Sequence, residues 1–338
     1  MELLDKQKRY DGIDGLRAFS AIGIILMHVA ANAKYNIGGF LYERVIPSMT
    51  NLVFLFMTIS AFGMCCGYCE KVLQNKMSIE IFYKKRYVKI LPYFALLCLI
   101  DVIISPSRSA LFELFANLTL CFGLLPNAGN ISVIGVGWFL GLIFVFYLIF
   151  PFFCFLIANK KRAWFVLGVA YIFNLLCTNY FHVGRANIIY CAVFFIAGGL
   201  IYLYKEKLSI IVEKYRWICV LVCALSIVLY YVMHQATWIT VLMFSVFLIY
   251  SLETRKGILE NSITKFLSGI SMEMYLCHML IYRLIEKMGF IHMFDSDVLS
   301  YIAIAFGTVL GAVIFAVITK WGLKKCGMLL NKGKYIYK

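Results

Sequence analysis

Residues 10–35 read YDGIDGLRAFSAIGIILMHVAANAKY. The stretch is apolar and long enough to cross a bilayer as a helix, for which about 20 residues suffice. Yet it carries Arg17 near its start and His28 well inside it. An ionisable side chain inside a span is costly, so each one is a functional hypothesis. The two residues lie 11 apart. At 3.6 residues per turn that is about three turns, which puts both side chains on one stripe to within ~20°. At 1.5 Å per residue they stand ~16 Å apart along the axis, too far to pair directly. Asp14, three residues before Arg17, is placed to orient the arginine.

The rest of the chain has the same character. It is 63% hydrophobic and 14% charged over 338 residues, with a mean hydropathy of +0.86. A soluble domain would be about half apolar and about a quarter charged. The fold class is therefore all-α, a polytopic membrane bundle of one domain over residues 1–338, with no appended soluble domain expected. The first apolar run is followed at once by further spans and lacks a small-residue cleavage pattern, so it is not read as a signal peptide. Ten spans are expected, near 16–33, 49–69, 88–105, 132–157, 163–181, 187–204, 215–233, 236–252, 265–286 and 298–323.

A net charge of +15 invites a nucleic-acid reading, but the placement of the charges excludes it. With both termini cytoplasmic, 26 of the 32 Lys and Arg fall on the inner side, as the positive-inside rule expects. Segment 111–126, LFELFANLTLCFGLLP, could pass for another span. Counting it would turn every later basic loop outward, so it reads as re-entrant or interfacial. Cysteines number 12, most of them inside spans, where cysteine behaves as a small apolar residue. Cys65, Cys66 and Cys69 lack a second matching pair of ligands, and no metal is expected.

Other polar groups inside spans are few. Lys85, Arg86 and Lys89 precede Pro92 in FYKKRYVKILPYF. They serve as topological charge or as a phosphate clamp, since Arg and Lys are the phosphate-binding side chains. Trp138 opens the fourth span as an interfacial anchor or a site residue. In KFLSGISMEMYLCHMLIYRLIE, His278 lies 13 residues beyond Lys265, or ~20 Å in, close to the depth of His28. Ser271, Tyr275 and His278 share one helix face, with Glu273 on another. His182, His234 and His292 fall in outer loops, and Asp101 near the outer end of its span.

These pieces in this order resemble the membrane acyltransferase type 3 family, over about residues 10–320. The matching parts are DGLRAFSAIGIILMH, LFMTISAFGM, KRYVKILP, WFLGLIFVFYLIFP and LSGISMEMYLCH. Three positions depart from the family pattern: Ala61 follows Ser60 where glycine is usual, Lys89 stands where arginine is commoner, and Ile143 occupies a position often held by glutamate. The resemblance implies a bacterial inner-membrane enzyme that moves an acyl group, most commonly acetyl, from cytoplasmic acyl-CoA to a hydroxyl of a cell-surface glycan or lipid-linked sugar. It implies His28 and His278 as catalytic residues, Arg17, Lys85, Arg86 and Lys89 as holding the CoA phosphates, and Trp138, Ser271 and Tyr275 as lining the substrate site. His28 would act as a general base or would itself carry the acyl group. The competing class is a transporter or flippase of a glycan precursor, which would use the same buried polar groups without acyl transfer.

Overall fold

A computed structural model describes residues 9–125, 128–131, 133–253 and 257–327. The basic stretches at 1–8, 254–256 and 328–338 in the inner-side tally lie outside the described residues. Among the described residues the chain is helical, with no strand. Its elements are α1 (Gly12–Ala33), α2 (Leu41–Leu73), α3 (Ile79–Ile104), α4 (Arg108–Leu118), α5 (Trp138–Ile157), α6 (Lys160–Asn179), α7 (Ile188–Lys214), α8 (Arg216–Val232), α9 (Thr237–Tyr250), α10 (Ser262–Gly269), α11 (Ser271–Lys287) and α12 (Asp297–Lys325).

Among the described residues six helical runs are long and apolar enough to cross a membrane: α1, α2, α3, the run Gly135–Ile157 that contains α5, α7 and α12. The other four expected crossings coincide with helices that are shorter or less apolar: α6, α8, α9 and the pair α10–α11. The outer surfaces of α6 and α8 are apolar, with Phe165, Trp217 and Leu221 exposed. A contiguous apolar exterior of this kind suits a lipid environment rather than water. Segment 111–126 begins within α4, only 11 residues long. That helix rises ~16 Å against a hydrocarbon core of ~30 Å and does not cross as a single helix.

The expected span at 265–286 is broken. α10 ends at Gly269, α11 begins at Ser271, and Ile270 between them leaves helical geometry at φ −124, ψ 10. Such a break leaves backbone groups without helical partners. Two side chains supply some: Lys320 Nζ donates to the Gly269 carbonyl at 2.6 Å, and Ser271 Oγ to the Ser268 carbonyl at 3.0 Å. Ser268 Oγ in turn donates to Asp14 at 2.7 Å. These bonds gather the start of α1, the break and the end of α12 at one face of the bundle, the near face. At the far face, Tyr35 beyond α1 donates to the Ile291 carbonyl at 2.7 Å, and Asp101 at the end of α3 pairs with Arg283 near the end of α11.

On the other side of α1, α7 packs tightly on α2. Phe54 and Phe194 stack with centroids 4.3 Å apart. A Cβ at Gly198 would collide with the Thr58 carbonyl, so only glycine permits this approach. Pro92 and Pro151 lie inside α3 and α5.

Candidate active site

Two cavities open into the bundle, and the Leu276 side chain of α11 borders both. The near cavity, about 190 Å3, is lined by Arg17, Ser60, Lys89, Ser271, Glu273 and Lys320, with Phe139, Tyr147 and Tyr275 as its aromatic wall. The far cavity, about 260 Å3, is lined by His28, Asn32, Asp101, Trp138 and Arg283 over an apolar floor that includes Leu97 and Met279. The shared stripe on α1 thus runs from one cavity to the other, with Arg17 in the first and His28 in the second.

The near cavity is basic. Lys320 Nζ meets Glu273 Oε1 at 2.6 Å. Glu273, expected on a different face from Ser271 and Tyr275, turns to the same cavity. It sits in the first turn of α11, and a cavity that meets a helix at its broken end is reached from more than one side of that turn. Arg17 and Lys89 make no hydrogen bond or ion pair among the described residues, and both face the cavity. Two unmatched cations facing a small cavity suit a phosphate or carboxylate ligand.

The remaining expected cations are placed differently. Arg86 is engaged by protein: it donates to the Tyr68 hydroxyl and lies over the Tyr68 and Tyr147 rings at 4.7 and 5.8 Å. Tyr147 Oη meets Ser60 Oγ at 3.2 Å, so Arg86 borders the near cavity through Tyr147. Lys85 does not line it.

Between the cavities stands a partition of Phe139, Tyr275, Leu276 and His278. Phe139 and Tyr275 meet edge to face at 5.4 Å. The Tyr275 hydroxyl donates to the Val136 carbonyl at 2.8 Å, tying α11 to the turn before α5. His278 is fully buried. Its Nδ1 lies 2.6 Å from the Tyr275 carbonyl. A carbonyl only accepts, so Nδ1 carries the proton and Nε2 holds the lone pair. That Nε2 is buried with no hydrogen-bond partner among the described residues. The His278 ring meets the His28 ring at 5.0 Å between centroids. The two histidines expected at similar depth are therefore in contact, His28 open to the far cavity and His278 behind it.

Three functional candidates were not singled out by sequence: Lys320, Arg283 and Arg185. Arg185 precedes α7 and donates to the Thr50 carbonyl at 2.6 Å and the Thr50 hydroxyl at 3.0 Å. It lies over the Phe54 and Trp138 rings at 4.9 and 5.6 Å, fixing the indole that lines the far cavity. Burial pushes its guanidinium below the usual arginine value, though an arginine stays charged at neutral pH. A signal existed for two of them: Arg185 and Arg283 belong to the six basic residues outside the inner-side tally, with Lys34, Arg44, Arg108 and Lys287. Asp101, expected at the interface, lines the far cavity. His182 and His234 sit exposed in turns.

A family model described as an acyltransferase domain matches residues 10–317. No curated protein and no solved structure gives a match.

Proposed function

We infer the reaction from one premise: this chain belongs to the acyltransferase type 3 family, and it is therefore an acyltransferase of multi-pass membrane form. The donor is an acyl-CoA, with acetyl the expected group, and the acceptor is a hydroxyl of a cell-surface glycan or lipid-linked sugar. The chain crosses a bacterial inner membrane ten times with both termini in the cytoplasm, so the near face is cytoplasmic and the far face external. The positive-inside bias supports that orientation.

One observation carries the reading. Two cavities approach from opposite faces and share the Leu276 wall, with a pair of touching histidines beside it. A donor made in one compartment and an acceptor held in the other need such a meeting point. Arg17 and Lys89 hold phosphate oxygens of the donor, and Arg86 acts only through Tyr147 at the cavity wall. The pantetheine arm passes Ser271 and Tyr275 and brings the thioester to the partition. His28 takes the proton of the acceptor hydroxyl as the oxygen attacks the acyl carbon. The C–O bond forms, the C–S bond breaks, and the proton goes on to the departing thiolate. His278, its Nδ1 fixed on the Tyr275 carbonyl, positions His28. The reaction needs no metal.

The test uses the purified chain in nanodiscs. Its thermal midpoint is followed with acetyl-CoA, succinyl-CoA and free CoA, since a ligand that binds only the folded state raises the midpoint. Acetyl-CoA is expected to raise it, Arg17→Ala to reduce the rise at a given concentration, and His28→Ala to keep the rise while losing thiol release. A folded protein whose midpoint no CoA species moves would overturn the donor assignment and bring the flippase reading forward.

A further inference from the structure

The far cavity holds a feature the reaction above does not use. Asp101 Oδ1 and Arg283 Nη1 face each other at 3.3 Å across α3 and α11, and both line the cavity that holds His28. The Arg283 side chain is 56% exposed. An ion pair that open to solvent contributes little to folding, so stability does not explain why two charges stand there. Arg283 lies five residues beyond His278 on α11, ~7.5 Å further along the axis. His28 and the pair line one cavity, so a ring seated against the pair shares that cavity with the histidine.

We propose that the Asp101–Arg283 pair is the acceptor-binding element of the far cavity and selects an uncharged sugar ring; this rests on the acyltransferase reading above. The chemistry follows from the donors and acceptors present. A carboxylate accepts two hydroxyl protons, and a guanidinium donates to hydroxyl and ring oxygens in a fixed fork. Neighbouring sugar hydroxyls both donate and accept, so a neutral ring satisfies both members without separating them. A ring bearing a carboxylate finds Arg283 already paired with Asp101, so it is held less well than a neutral ring unless the pair is broken. The Asn32 amide donates to the His28 carbonyl at 2.7 Å, which leaves its own carbonyl for a third hydroxyl. Trp138, held by Arg185, and the apolar floor of Leu97 and Met279 offer a surface to the C–H side of the ring. The cavity measures about 260 Å3, below the ~300–1,000 Å3 of pockets that enclose larger ligands. It therefore takes one ring and leaves the remaining chain of a glycan outside.

The experiment uses the full chain in nanodiscs, radiolabelled acetyl-CoA, and two probes that differ at one carbon, methyl β-glucoside and methyl β-glucuronide. The wild type is expected to acetylate the glucoside at least tenfold more efficiently in kcat/KM. Asp101→Asn, which keeps the shape and frees Arg283, is expected to shift that ratio at least tenfold toward the glucuronide. Arg283→Gln is expected to raise the KM for the glucoside at least tenfold. The thermal rise with acetyl-CoA stays the same in all three, which shows that each folds and holds donor. A wild type that prefers the glucuronide, or an Asp101→Asn ratio equal to wild type with the donor rise intact, would overturn the proposal. If acetyl-CoA moves no midpoint, the donor reading has failed separately. The pair is then judged by tryptophan quenching with each probe, Trp138→Phe serving as the control. The same charge selectivity must appear there, and equal binding of both probes sinks the proposal.

Discussion

The near and far cavities adjoin the same side chain, Leu276, and are lined on opposite principles. In the near one, Arg17 and Lys89 face the cavity with no ion pair among the described residues, and the direct contact of Glu273 is with Lys320. In the far one, the single arginine is matched by a single aspartate, beside a histidine and an indole. Unmatched charge attracts a charged ligand and is screened by salt. Matched charge offers hydrogen bonds without a net field. The contrast teaches which end of the reaction each cavity serves, and it can be broken.

The largest effect is expected from His28→Ala, which removes the titratable group at the meeting point. Transfer should fall by about 10²- to 10⁴-fold, the usual worth of a positioned general base, with the thermal rise from acetyl-CoA intact. Retained transfer in the folded variant would remove the reacting group from the far cavity. Arg17→Ala should weaken acetyl-CoA binding by about 10- to 100-fold, since hydrogen bonds to charged groups contribute about 1.5–3 kcal/mol. A titration of the thermal midpoint reads this directly, and unchanged affinity would mean that the near cavity is not the phosphate end.

Leu276→Ala tests the partition. Leu276 is 1% exposed, and truncating a buried leucine costs about 2–5 kcal/mol. The midpoint should drop, and thiol release without acceptor should rise severalfold as water reaches the thioester from the far side. A drop in midpoint with no rise in release would make Leu276 a packing residue only. The smallest effect is the broadest comparison. Raising ionic strength tenfold should weaken acetyl-CoA binding severalfold and leave binding of a neutral sugar probe unchanged. Equal salt dependence at both cavities would erase the distinction drawn between them.

The architecture was largely legible in sequence, because lipid leaves helices as almost the only way for a mixed apolar chain to satisfy its backbone. Each expected span meets a helix, and segment 111–126 begins in a helix too short to cross. The break at Ile270 was not legible: the sequence there, LSGISMEM, has no proline and reads as one continuous helix. The partner that meets the break is tertiary, Lys320 from the distant α12 donating to the Gly269 carbonyl. Glu273, on another face of α11 from Ser271 and Tyr275, still lines their cavity, since at the first turn of a helix a cavity is reached from more than one side. Arg86 carries a basic motif expected at the donor, yet it is caged by Tyr68 and Tyr147, which no spacing rule announces.

The family was legible in sequence as a resemblance carried by five motifs in order; the all-helical membrane form and the Arg17–His28 stripe were legible because hydropathy and helical periodicity are local properties of consecutive residues. Tertiary structure alone decided that His28 touches His278, 250 residues away. It alone decided that Lys320 joins the near cavity, and that Asp101 meets Arg283 in the far one. Those pairings depend on which helices lie side by side and at what rotation. That is fixed by packing across the whole bundle, such as the close approach of α7 to α2 at Gly198, and not by any one segment.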